Sequence, residues 1–217
     1  MRKIVFDIET GPLPNSELEQ LIEPFDPAAV KVGNIKDPAK IEAKIEECRA
    51  NHWTDFVDGA ALSAVTGRVL AIGIQDSDGF KILGDNLSSE AEIIHDFWHL
   101  CQFEMGRLNT MIGFNTHLFD LPFLVRRSWK LGVKVPPFIR RGRYWADEMI
   151  DLRNDWQLGD RPAEGSLNAI CKHLGLGQKT GNGKDFAGLW ILDRKKAIEY
   201  LRQDLALTSK VATIFGH

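Results

Sequence analysis

Four carboxylates, spread over almost the whole chain, stand in company where a charge is expensive. Asp7 and Glu9 interrupt the apolar, β-branched run KIVFDIETG, residues 3–11, which reads as a short buried strand. Side chains alternate along a strand, so both acids leave one face while Phe6 and Ile8 leave the other. Two acids about 7 Å apart on such a strand need a positive partner unless they lie at an exposed end. An ion, an arginine or water would each answer that need. Asp120 sits in GFNTHLFDLPFL, residues 113–124, between Phe119 and Leu121. Asp204 follows Tyr200 by one helical turn, which places the two on one face. If the four converge, each pair at about 4 Å costs roughly 4 kcal/mol at an effective dielectric near 20. Cations must then share the pocket, and oxygen-only ligands select hard ions such as Mg²⁺ or Mn²⁺. Two such ions about 4 Å apart are a recurring device for hydrolysing phosphodiesters. Tyr200 would then stand beside the attacking water, as its orienter or proton partner.

The elements that must position these groups can be read in order. Prolines 12, 14, 24, 27 and 38 break the segment 12–66 into loops with short helices. Its clearest element opens at Asp37-Pro38 and carries a narrow stripe of Ile41, Ile45 and Cys48 over about three turns. That helix reads as filler of a long surface connection in preference to a lid over the acids. Residues 66–83 read as a hairpin, with a strand at 69–74, a turn at 76–79 and a return to Leu83. Ser89 and Glu92 form a capping box ahead of an amphipathic helix through Ile93, Ile94, Phe97, Trp98 and Cys101. His95 and His99 lie one turn apart on it, with no third ligand in reach, and read as helix surface.

A strand at 110–113 and a helix at 118–131 flank Asp120. From Arg126 to Arg143 there are seven cations and no acid, with Trp129, Tyr144 and Trp145 in or beside the run. The run suits either a surface that tracks a phosphate backbone with stacking platforms or a plain solvated face. An edge strand at 148–152 and a helix at 166–177 follow. The glycine-rich stretch to Gly188 carries Lys179 and Lys184, fits no phosphate-loop pattern and reads as a loop. The last helix is capped by Asp193 and runs through Ile198, Leu201, Leu205 and Val211.

With 217 residues the chain suits one α/β domain, 1–217, with 12–66 as an insertion. A net charge of −3 and a pI near 6.1 argue against a coat-like nucleic-acid binder, not against an enzyme with a local basic track. Cys48, Cys101 and Cys171 are odd in number and far apart, which points to free thiols in a reducing compartment. With no signal-peptide pattern and no membrane-length apolar run, a cytoplasmic protein is expected.

DIET at 7–10, GFNTHLFDLPFL around Asp120 and Y-x₃-D at 200–204 resemble, in order and separation, the three motifs of the DEDDy 3′–5′ exonucleases. Asn115 five residues before Asp120 and the SLNAICKHLGLG helix, residues 166–177, resemble the proofreading exonuclease domain of family B DNA polymerases. The DEDDh pattern would put histidine where Glu199 stands. The resemblance implies a ribonuclease H-like fold, with a mixed central sheet of about five strands and helices on both faces. It implies that Asp7, Glu9, Asp120 and Asp204 are catalytic ligands of two Mg²⁺ or Mn²⁺ ions, and that Tyr200 is catalytic as the water-orienting residue. It makes Thr10, Asn115 and Phe119 contacts to the 3′ end of a strand. The implied activity is that of a stand-alone 3′–5′ exonuclease on single-stranded DNA or frayed duplex ends, acting alone or with a separate polymerase or repair partner. A ribonuclease D-like exoribonuclease and a catalytically silent nucleic-acid-binding module are the alternatives on the same fold.

Overall fold

In the computed structural model, residues 2–85, 88–102, 108–160, 165–179, 181 and 183–217 are described. The side chain of Lys184 lies outside the described residues. The chain divides into two compact units, Met1–Gly11 with Val69–His217 and Pro12–Arg68.

The first strand, β1 (Lys3–Pro12), opens the larger unit and runs on into the smaller one. In the smaller unit, α1 (Asn15–Leu18) is followed by α2 (Pro38–Ala60). Asp37 caps α2 through the Ala39 N–H, as the Asp-Pro pair predicts. The helix does not stop after three turns. Its apolar spacing resumes at Trp53, Phe56, Val57 and Ala60, which pack on Leu13 and Leu18 to make a small core of their own. The Leu13 N–H donates to the Thr66 carbonyl at 2.9 Å, so the two ends of this unit meet.

β2 (Gly67–Asp76), which belongs to the larger unit from Val69 on, and β3 (Gly79–Leu83) form the expected antiparallel hairpin. The helix α3 (Glu90–Cys101) starts on the Ser89–Glu92 capping box. The strand β4 (Thr110–Gly113) leads into α4 (Asp120–Leu131), which begins at Asp120 and not at Leu118. A two-residue hairpin, β5 (Arg140–Arg141) with β6 (Tyr144–Trp145), precedes β7 (Met149–Asp151). Four helices complete the chain: α5 (Leu152–Gln157), α6 (Leu167–His173), α7 (Phe186–Leu192) and α8 (Arg194–Phe215).

The sheet order is β3-β2-β1-β4-β7, with β1, β4 and β7 parallel and β7 at the edge. Both faces of β1 are covered, which is why its sequence is a nearly unbroken apolar run. Phe6 meets Phe97 of α3, with ring centroids 5.0 Å apart. On the other face Val5, Ala71 and Ile112 join Leu201, Leu205, Val211 and Phe186 of the last helices in one buried cluster. Gly73 of β2 lets α8 come close, since a Cβ there would lie 2.6 Å from Leu205 Cδ1 and 2.8 Å from Leu201 Cγ. Among the described residues no helix is long and apolar enough to cross a membrane.

Candidate active site

Alternation along β1 sends Asp7 and Glu9 to the same face as Val5, the face that α8 covers. On α8, Tyr200 and Asp204 are one turn apart and both buried. The result is a trio: Asp7, Glu9 and Asp204 each bring a carboxylate oxygen to within 4.8 Å of the other two. Asp120, at the first turn of α4 and 3% exposed, lies beside β1, where its Oδ1 accepts the Ile8 N–H at 3.2 Å. The register explains the approach. β4 runs parallel to β1 and ends one residue past the Val5↔Ile112 pair, so the turn that follows it comes off level with Asp7.

The electrostatics follow from crowding acids in a buried place. Burial, then the Asp204 carboxylate, raises Asp7 to about 7, against the pull of the Lys179 ammonium. Burial and then Asp7 push Glu9 well above the usual carboxylate range. Burial and then Asp7 do the same to Asp120, opposed by the Ile8 N–H and the Asp120 N–H. Burial, followed by the Asp204 and Glu9 charges, raises the Tyr200 phenol, so it keeps its proton and donates to Asp204.

Among the described residues, Lys179 brings a cation to these acids. Its Nζ pairs with Asp204 Oδ2 and stands 5.7 Å from the centre of the Tyr200 ring. The stretch that carries it reads in the sequence as a loop, and residues 177–179 are without helix or strand; the contact with Asp204 is what the sequence does not announce. Among the described residues, one ammonium beside four acids leaves positive charge short, and the raised carboxyl groups are the response. An oxygen-only, largely buried donor set of this kind fits hard divalent ions.

Residues 54–211 match the family described as a predicted 3′–5′ exonuclease related to the exonuclease domain of PolB. The chain belongs to this family. The matched span holds Asn115, Phe119, Asp120, Tyr200 and Asp204, whereas Asp7 and Glu9 precede it. No curated protein matches the chain. Among solved structures, it is similar to the family B DNA polymerase from the hyperthermophilic archaeon Pyrobaculum calidifontis, with 17% identity and a TM-score of 0.57 over 99% of this chain. The chain spans 24% of that polymerase, and the likeness is one of fold. It is the ribonuclease H-like α/β architecture that the three motifs imply.

In this PolB-related family member the remaining sequence candidates fall as follows. Thr10 follows Glu9 on β1, and Phe119 is the half-buried residue before α4, its ring 5.6 Å from Phe123. Asn115 has a left-handed backbone, φ 63°, and its Oδ1 accepts from Arg153 at 2.9 Å. The basic run splits. Arg127 is buried and grips Glu90 at 2.8 and 2.7 Å, so it belongs to the core and not to a surface track. Its signal was helical spacing, three residues after Leu124 on the buried side of α4. Arg140 and Arg143 lie over the rings of Trp145 and Tyr144 at 5.3 and 4.8 Å, and Arg141 pairs with Asp147 at 2.7 Å. His95 and His99 are both exposed on α3. Asp151, a buried acid at the end of β7, was missed. Its only sequence signal was an acid at the junction between a strand and a helix start.

Proposed function

We propose that the chain is a divalent-metal-dependent 3′–5′ exonuclease that removes nucleotides from the 3′ end of single-stranded DNA as 5′-monophosphates. The meeting of Asp7, Glu9 and Asp204 carries this reading, because three acids from the first strand and the last helix, two of them buried and Asp7 half-buried, bring their oxygens together. Asp7, Glu9, Asp120 and Asp204 are the residues that would hold two Mg²⁺ or Mn²⁺ ions, which when bound supply Lewis acidity at the scissile phosphate. In the reaction a water oxygen bonds to phosphorus as the bond from phosphorus to the 3′-oxygen breaks, and that oxygen takes up a proton. Tyr200 keeps its proton near neutral pH, so its role is to orient the water by hydrogen bonding, not to act as a base. The Ile8 N–H fixes Asp120 beside β1. In this reading Thr10, Asn115 and Phe119 contact the terminal nucleotides, Phe119 by stacking, which tolerates any base.

The test is 5′-labelled oligonucleotides, one DNA and one RNA, with Mg²⁺ or Mn²⁺ and with chelator. Metal-dependent shortening from the 3′ end, faster on DNA, is expected. Asp204→Ala should abolish it, and Tyr200→Phe should slow it by roughly 10²-fold. No metal-dependent shortening of either strand would remove the exonuclease reading. Preference for RNA would turn it into an exoribonuclease.

A further inference from the structure

The turn between β4 and α4, residues 114–119, carries Asn115 and Phe119 and delivers Asp120. Turns of this kind are held by whatever satisfies their backbone groups. Part of the answer is internal, since the Asn115 carbonyl accepts from the N–H groups of Leu118 and Phe119 at 3.2 and 3.1 Å. The turn also folds back tightly on its strand, where a Cβ on Gly113 would lie 2.2 Å from Thr116 Cγ2.

Two further N–H groups of the turn are met from β7 and the start of α5. Asp151 is 3% exposed, and its carboxylate accepts three backbone N–H groups. Oδ1 takes Asn115 at 2.7 Å and Arg153 at 3.0 Å, and Oδ2 takes His117 at 2.9 Å. One carboxylate therefore caps its own helix and anchors the neighbouring turn. Arg153 then reaches back to Asn115 Oδ1 at 2.9 Å. Between them the two residues hold both the main chain and the side chain of a residue in the left-handed region, which non-glycine residues seldom adopt. His117 is locked as well, with its Nε2 donating to the Met149 carbonyl at 2.6 Å and its Nδ1 accepting from Asn154 at 2.9 Å.

We propose that Asp151, seconded by Arg153, is the positioning residue of this site, setting Asn115 and the turn that carries it for capture of the 3′-terminal nucleotide. The proposal rests on the exonuclease reading above. No chemical step is assigned to Asp151. It acts through Asn115, and its loss should appear in substrate capture.

Asp151→Asn keeps the shape but replaces one accepting oxygen by an NH₂ that faces an N–H donor. Arg153→Gln leaves the carboxylate and removes only the grip on Asn115. With a single-stranded DNA substrate, Asp151→Asn should raise KM about tenfold and Arg153→Gln by a smaller factor, with kcat within about twofold of wild type. In an Asn115→Ala background, Asp151→Asn should add almost nothing to KM, because the two residues form one unit. An Asp151→Asn protein with wild-type KM and only a lower melting temperature would overturn the proposal, as would effects of Asp151 and Asn115 that simply multiply. Should Asp151→Asn fail to fold, Arg153→Gln with an unchanged KM overturns it equally. A wild type without exonuclease activity removes both readings, whereas an active wild type with indifferent variants removes this one alone.

Discussion

At the residue scale, Lys179 has the most to say about how this pocket manages its charge. Its ammonium pairs with Asp204 and lies near the Tyr200 ring, among acids that repel one another. A divalent ion entering that space must displace this lysine or bind against its charge. Lys179→Met should therefore tighten Mn²⁺ binding about tenfold, the equivalent of about 1.4 kcal/mol. The same change should cost the metal-free protein roughly 1–3 kcal/mol. That is less than a fully buried pair would lose, because the lysine side chain is 26% exposed. Calorimetric titration with Mn²⁺ and melting in chelator check the two halves, and unchanged Mn²⁺ affinity would mean that the lysine stands clear of the ion. The acids were legible in the sequence because a carboxylate in an apolar strand or helix contradicts its neighbours. Lys179 was not, because a lysine in a glycine-rich loop contradicts nothing, and only the fold brings it to Asp204.

At the scale of elements, the site depends on how closely α8 lies on the sheet. Gly73 sets that distance, and a methyl there would run into Leu201 and Leu205, which flank Asp204 in sequence. Gly73→Ala should destabilise the protein by about 1–3 kcal/mol and reduce activity with it, since Tyr200 and Asp204 ride on the same helix. Gly188→Ala is the matched control. A methyl there, on the exposed side of α7, meets nothing within 4 Å, and the change should be neutral or stabilise by about 0.5–1 kcal/mol. Equal melting temperatures for the two variants would show that α8 can shift without cost. The strands and most helices were legible, because period-two and period-3.6 patterns and the caps at Asp37, Ser89 and Asp193 agree with one another. The length of α2 was not. Its apolar stripe pauses after Cys48 in a polar stretch, and only the cluster at Leu13 and Leu18 gives Trp53 and Phe56 something to pack against.

At the scale of the whole molecule, folding without metal means burying acids that prefer water. Asp7 has a folded pKa of about 7 against an ordinary 3.8, so between these values the folded state holds a proton that the unfolded state has released. The Asp7 contribution should therefore lower stability in chelator as pH rises from about 4 to about 7, and the raised Glu9 and Asp120 act in the same direction. Asp7→Asn should melt higher than wild type at pH 8 without metal. Saturating Mg²⁺ or Mn²⁺ should reverse that order by favouring the native carboxylates of the wild type. Wild type and Asp7→Asn melting together at pH 8 in chelator would contradict the assigned environment. The α/β class and the sheet were readable from pattern and motif order. The tying together of the turn 114–119 by Asp151 was not, because it joins residues 36 apart through a parallel pairing that no local pattern announces.

The hydrogen bond from Leu13 to Thr66 has a topological consequence. A segment whose entry and exit touch is a side branch, and its length can change without altering the register of the strands at its root. Lengthening a closed excursion adds only a slowly growing entropy cost. The loops between Leu13 and Thr66 should therefore tolerate insertions and deletions that leave the hydrogen bond between those two residues intact.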